Sequence, residues 1–136
     1  MAIGSSAMCG SFKKEILAGI HRWTTASRGD SSAISADTFK VAMFTNSSSI
    51  DADTTGYTTS QEVSGTNYTA GGAALGSVTN SLGDNSSSVP TAYLDFADTT
   101  WSSSTISSAR GALIYNSTLS GASTGSTTTA AAYPAV

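Results

Sequence analysis

Apolar and polar positions recur along this chain with two different periods, and the change of period divides it into elements. Over 11–23, Phe12, Ile16, Ile20 and Trp23 fall at spacings of four, four and three, which lines one face of an α-helix. Ser11 stands where a cap is expected, and Lys13, Lys14 and Glu15 fall on the wet side. Residues 24–32 show no periodicity and read as a loop. From Thr38 the period shortens to two. Phe39, Val41 and Met43 lie on one side and Lys40, Ala42 and Phe44 on the other, a strand covered on both faces at its far end. Further strands are predicted at 61–63, 68–70, 75–82, 92–96 and 105–115, separated by Gly and Ser clusters at short spacings. This succession predicts a mainly β fold, a compact antiparallel β-sandwich or partly open barrel with one N-terminal amphipathic α-helix.

The same pattern sets the organisation: an N-terminal arm over 1–10, a single β-rich domain with its helix over 11–116, a Ser/Thr/Gly-rich flexible segment over 117–129, and a strand-like tail over 130–136. The tail, Ala130-Ala131-Ala132-Tyr133-Pro134-Ala135-Val136, reads as the start of a strand that these residues do not complete. No fixed-period repeat and no second domain are evident.

Composition narrows the function classes. Of 136 residues only 15 are charged, while 46 are Ser or Thr, so small hydroxyl residues suited to strands and turns carry the polar role. Six Lys plus Arg against nine Asp plus Glu, with a pI near 4.7, leave no basic surface to neutralise phosphates or anionic lipid, which disfavours nucleic acid as principal ligand. Disorder is disfavoured because 39% of residues are apolar and the net charge is only −3. A core of this size is thin, and stability is expected to lean on partners or assembly. The lone Cys9 forms no intrachain disulfide. No run approaches a membrane span of about 20 apolar residues, and the N-terminus lacks the basic region of a signal peptide. A protein made and assembled in a cytoplasm is the expectation.

Candidate chemistry is sparse. Asp51-Ala52-Asp53-Thr54-Thr55-Gly56 through Glu62 matches a calcium loop in part, with Asp51, Asp53 and Glu62 as the candidate ligands. Position 5 is Thr55, and the flanks read as strand and Gly-rich turn where an EF-hand needs two helices, so an ordinary loop between strands is the favoured reading. His21 has no second His near it and reads as a helix-surface or interface residue. Any serine triad would have to borrow that one His. Asp95 and Asp98 near Trp101 offer paired carboxylates, at a strand end where Asp ordinarily builds turns. Gly71-Gly72-Ala73-Ala74-Leu75-Gly76 lacks the Lys-Ser/Thr pair of a phosphate loop and reads as a strand-linking turn. Arg28-Gly29-Asp30 is an adhesion tripeptide in a loop, a short match that chance explains. Asn46, Asn67, Asn85 and Asn116 precede Ser or Thr by two positions, as expected in a chain one-third hydroxyl. No catalytic residue, metal or cofactor is expected.

The order of local motifs carries a resemblance. Phe12-Lys13-Lys14-Glu15-Ile16-Leu17-Ala18-Gly19-Ile20-His21 is followed by Asp37-Thr38-Phe39-Lys40-Val41-Ala42-Met43-Phe44-Thr45 and Glu62-Val63-Ser64-Gly65-Thr66-Asn67-Tyr68-Thr69-Ala70-Gly71-Gly72. Then come Leu94-Asp95-Phe96-Ala97-Asp98-Thr99-Thr100-Trp101 and Ala109-Arg110-Gly111-Ala112-Leu113-Ile114-Tyr115-Asn116. Over roughly residues 11 to 120 this resembles a family of small, mostly uncharacterised tailed-bacteriophage virion proteins. The resemblance implies a structural protein rather than an enzyme, located in the virion and assembled in the host bacterial cytoplasm. It implies a capsid decoration or cement protein, a homo-oligomer or a protein of many copies per particle. Its partners would be the major capsid protein or other virion proteins, with no direct nucleic acid or membrane contact. Phe12, Ile16, Ile20, Trp23 and Tyr133 are the interface candidates. The alternative is a tail or head fibre or adaptor component contacting host surface glycans, for which Tyr57, Tyr68 and Trp101 would serve. Family members continue past the Asn116 region into another apolar strand and a hairpin. The departure here implies a short member, or strands supplied by a neighbour to an open sheet edge.

Overall fold

Two long strands, paired antiparallel over their whole length, form the spine of the molecule. In a computed structural model that describes residues 7–25, 35–84, 89–119 and 131–134, the chain order is β1 (Ala7–Met8), α1 (Gly10–Leu17), β2 (Phe39–Thr45), β3 (Ala73–Ala74), β4 (Thr79–Asp84), β5 (Pro90–Asp95), β6 (Ala109–Asn116) and β7 (Ala131–Pro134). The tripeptide Arg28-Gly29-Asp30, Asn85 and most of the 117–129 segment lie outside the described residues. The fold is mainly β, with antiparallel sheets and one short helix. A five-stranded sheet has the order β1-β7-β6-β2-β3, and β4 and β5 form a separate two-stranded sheet. The hairpin and the helix-bearing side of the larger sheet line one open cavity, and Phe96 after β5 meets Phe39, an arrangement compatible with a β-sandwich.

The period-two pattern of β2 and β6 explains their position. Lys40 stands opposite Tyr115, Ala42 opposite Leu113 and Phe44 opposite Gly111, so Ala42, Phe44, Leu113 and Tyr115 share one face. There they are buried with Ile50, and Tyr57 packs against the cluster. On the other face Val41 is opposite Ile114 and Phe39 opposite Asn116. Phe39, fully buried, stacks on Trp23 at 4.3 Å between ring centroids and meets Phe96 of the hairpin's C-terminal flank at 6.2 Å. A strand covered on both faces is therefore what the alternation produces.

The helix is shorter than its apolar spacing predicts, ending at Leu17 instead of 23. Gly19 adopts φ 67°, the left-handed conformation that costs glycine least. Its N–H donates to Ile16 O at 3.0 Å and that of Ile20 to Glu15 O at 3.0 Å, the paired bonds of a Schellman stop. The face is rotated as a result. Phe12 and Glu15 are buried, whereas Ile16 is 41% exposed and Leu17 is 90% exposed. Glu15 is thus not on the wet side, and Lys13 and Lys14 are. Nor is Ser11 the cap. Cys9 occupies that position without a side-chain cap bond, and Ser11 Oγ donates instead to Thr54 O at 3.2 Å.

Segment 68–70 forms no strand. Asn67 takes φ 57°, Tyr68 N donates to Gly65 O at 3.2 Å, and the Tyr68 side chain turns inward, so the segment is a tight turn. Segment 61–63 meets β2 without forming a strand, through the Phe44–Glu62 bridge and the bonds from Val63 N to Met43 O at 3.0 Å and from Thr45 N to Gln61 O at 2.9 Å. Left-handed Ser77 and Ser108 delay β4 and β6 to Thr79 and Ala109. At the β3 entrance Gly72 has φ 68°, and a Cβ there would lie 1.8 Å from Val41 O. Gly72→Ala is expected to lower unfolding stability by at least about 2 kcal/mol, read from the midpoint of a urea titration. An unchanged midpoint would contradict this account of the turn.

Candidate interaction surface

Between the hairpin and the helix-bearing face of the large sheet lies an open cavity of about 920 Å³. Its walls are Met8, Phe12, Ile16 and Trp23 on one side and Leu82, Ala92, Tyr93, Leu94 and Phe96 on the other, with Phe39 and Ile114 as the floor and Asn80 and Ser81 as polar members. Alternation along β4 and β5 puts Asn80, Leu82, Ala92 and Leu94 on one face of the hairpin, because Asn80 pairs with Leu94 and Leu82 with Ala92. Leu82 remains 73% exposed and Tyr93 48% exposed.

Beneath this groove the polar side chains are committed to the fold. His21 is buried, not on the helix surface. Its Nδ1 accepts from Asn116 Nδ2 at 3.0 Å, and its Nε2 donates to Glu15 Oε2 at 2.9 Å. Asn116 Nδ2 also donates to Asp37 Oδ2 at 2.7 Å, while Asn116 Oδ1 accepts from Thr118 N at 3.0 Å. The imidazole packs 4.8 Å from Phe12 between ring centroids. One ring nitrogen thus ties the segment after α1 back to the helix and the other ties it to the end of β6, so the His pins elements together.

A second polar knot covers the opposite face. Glu62 accepts from Tyr57 Oη and, at 2.7 and 2.8 Å, from Tyr68 Oη and Gly71 N. Tyr68 Oη in turn accepts from Met43 N at 2.8 Å, and Tyr115 Oη donates to Gly71 O at 2.8 Å. Burial first, and then the hydrogen bond to Glu62, push the Tyr57 phenol well above its usual range. Burial likewise raises Tyr68, the bond from Met43 N partly opposing it, and burial raises Tyr115. Cys9 is fully buried, with Sγ donating to Asp51 O at 3.3 Å, and burial followed by the Asp51 charge holds it as a thiol.

Two of the three candidate calcium ligands, Asp51 and Glu62, have their carboxylates engaged elsewhere. Asp51 Oδ1 accepts from Asp53 N at 2.9 Å, a local Asx turn, and Glu62 serves the tyrosines. Among the described residues no group of three His, Cys, Asp or Glu could hold a metal ion. Tyr57 and Tyr68, considered for glycan contact, spend their hydroxyls on Glu62, and Trp101 leans against Tyr68 at 5.8 Å. Asp95 Oδ1 accepts from Phe96 N at 3.0 Å as a strand-end turn.

Of the interface candidates, the structure brings Phe12, Ile16 and Trp23 together in the groove. Ile20 is half-buried outside the lining. Tyr133 lies in β7 opposite Ala112, its side chain outside the described set. The sequence reading missed Met8 and the hairpin residues Leu82, Tyr93 and Leu94. Their signal is a pair of strands, rich in small polar residues, that offers apolar side chains on both faces. No family model, no curated protein and no solved structure matches this chain.

Replacing Glu62 by Ala would strand two phenols and an amide, and is expected to cost about 2–3 kcal/mol in urea unfolding, against about 1 kcal/mol for Tyr68→Phe. Equal losses would mean that the carboxylate is not the hub. The pH dependence has a definite sign. The folded protein keeps Tyr57, Tyr68 and Tyr115 protonated beyond the ordinary value of 10.0, so their contribution is complete below that pH and is lost as pH rises above it. Denaturation midpoints should fall above about pH 10, with the phenolate absorbance of these residues appearing as the chain unfolds. Stability that stays constant through that range would refute the buried-phenol account.

Proposed function

We propose that this protein is a structural component of a tailed-phage virion, a decoration protein that binds the outside of the head shell in many copies. The observation that carries the reading is the contrast between the two kinds of surface chemistry described above. The buried Cys, His, Glu and Tyr groups are spent on internal bonds, whereas the groove walls leave large apolar side chains exposed on a scaffold with few charges. Such a surface is suited to packing against protein, because little charge has to be desolvated. The five ordered motifs shared with small phage virion proteins support the same reading, as does a β module presenting a free-standing hairpin.

Copy number tests it. In a reconstruction of purified particles the protein is expected at a number set by capsid symmetry, on the outer face of the shell. A few copies confined to one vertex or to the tail would replace the decoration reading with that of a tail component.

A further inference from the structure

Four of the exposed large apolar side chains among the described residues line this groove, Met8 and Ile16 on the β1–α1 wall and Leu82 and Tyr93 on the hairpin. The hairpin is itself incomplete as a sheet. Its strands pair only with each other, and a two-stranded sheet in water is marginal without a further strand or a packed face. At its base Ala97 N donates to Gly76 O at 2.9 Å and Phe96 meets Phe39, but the strands reach outward from there.

Charge divides the same two walls. Between Lys40 and Arg110 the sequence contains no Lys or Arg, so the hairpin region is purely acidic, with Asp95 and Asp98 exposed. The helix wall carries exposed Lys13 and Lys14. Lys13 shares a helix face with Ile16 and Leu17 through the i, i+3 and i+4 spacings. The ion pair between described residues is His21–Glu15, in the interior, and the opposite charges on the two walls are not joined within the chain. Each chain therefore displays a basic apolar wall and an acidic apolar strap.

We propose that the groove is a self-association site whose occupant is the hairpin of a second copy. The exchange is reciprocal about a two-fold axis, so that each hairpin sets Leu82 and Tyr93 against Met8 and Ile16 of the other chain and brings Asp95 and Asp98 toward Lys13 and Lys14. An isologous exchange closes on itself and gives a dimer rather than a filament. It rests on the reading above that this face is an assembly surface, and it names the partner.

Sedimentation velocity of the full chain over a range of concentrations tests it. The expected result is a monomer–dimer equilibrium, the larger species having twice the 13.7 kDa mass, that weakens as salt is raised. Ile16→Ser, at a groove position 41% exposed in the monomer, should weaken dimerisation by at least about tenfold, and Leu82→Ser with Tyr93→Ser should abolish it with the far-UV spectrum unchanged. The charge arm does not depend on apolar truncation. A chain carrying Lys13→Glu and Lys14→Glu should be monomeric alone, as should one carrying Asp95→Lys and Asp98→Lys, and mixing the two should restore the dimer. A wild-type chain that stays monomeric, a dimer indifferent to Ile16→Ser, or a mixture that fails to recover would overturn the proposal. Monomers in solution together with symmetry-set copies on particles would remove this inference alone. A dimer missing from particles would remove only the decoration reading.

Discussion

The antiparallel pairing of β2 with β6 is the constraint from which the rest of the structure follows. Both strands alternate apolar residues on both sides, so the ribbon has two faces to bury and no long strand on either flank to share the work. One face is covered by the irregular chain between β2 and β3, and the other by α1 with the residues that follow it. Irregular chain over a core brings polar groups with it, and these must find partners or cost the full desolvation of the unmade bond. Glu62 supplies them on one side, and the His21–Asn116 pair on the other. Each knot is a small number of hydrogen bonds that holds a loop or a helix at fixed height over the ribbon.

This use of the ionisable residues shapes what the surface can do. Glu15, His21 and Glu62 look like chemistry when read one at a time, and in place they are fasteners. What remains for interaction is apolar area around a cavity, framed by exposed Ser and Thr that cost little to desolvate. The abundance of hydroxyl residues has a local cause as well. Ser and Thr side chains bond neighbouring backbone, as when Thr54 Oγ1 accepts from Asp51 N at 2.8 Å and Thr58 Oγ1 from Ser60 N at 3.1 Å.

How far the sequence reading reached can be seen at particular residues. Phe39 to Phe44 was legible because the spacing of apolar side chains along a strand depends on the strand alone. The helix was legible at Phe12, yet its end was not. An apolar spacing that continues to Trp23 outweighed one glycine, whereas in the fold Gly19 closes the helix and lets His21 and Trp23 return against Phe12. Tyr68 looked like a strand residue because aromatic residues favour strands, and a hydrogen bond to a carboxylate six residues away overrode that preference. The calcium-like spacing of Asp51, Asp53 and Glu62 carried no information about which donors would reach those oxygens first. Half of the groove was foreseeable as a helix stripe, but the hairpin half was not, since Leu82 stands alone between Ser81 and Gly83 until strand pairing sets it opposite Ala92 on the face that also carries Leu94.

By itself the sequence determined the class of fold, the two-faced strand at Phe39, the place of the one helix, and the poverty of charge, because each is a property of side-chain type and spacing along a short stretch of chain. The tertiary structure decided the pairing of β2 with β6, the partners of His21 and Glu62, and the convergence of helix and hairpin on one groove. Those features join residues such as His21 and Asn116, far apart in the chain, and no local periodicity encodes which distant donor meets which acceptor. The poverty of charge acquired its location in the same way. Lys13 and Lys14 ride on the helix and Asp95 ends the hairpin, and only the fold sets those two elements on either side of one cavity.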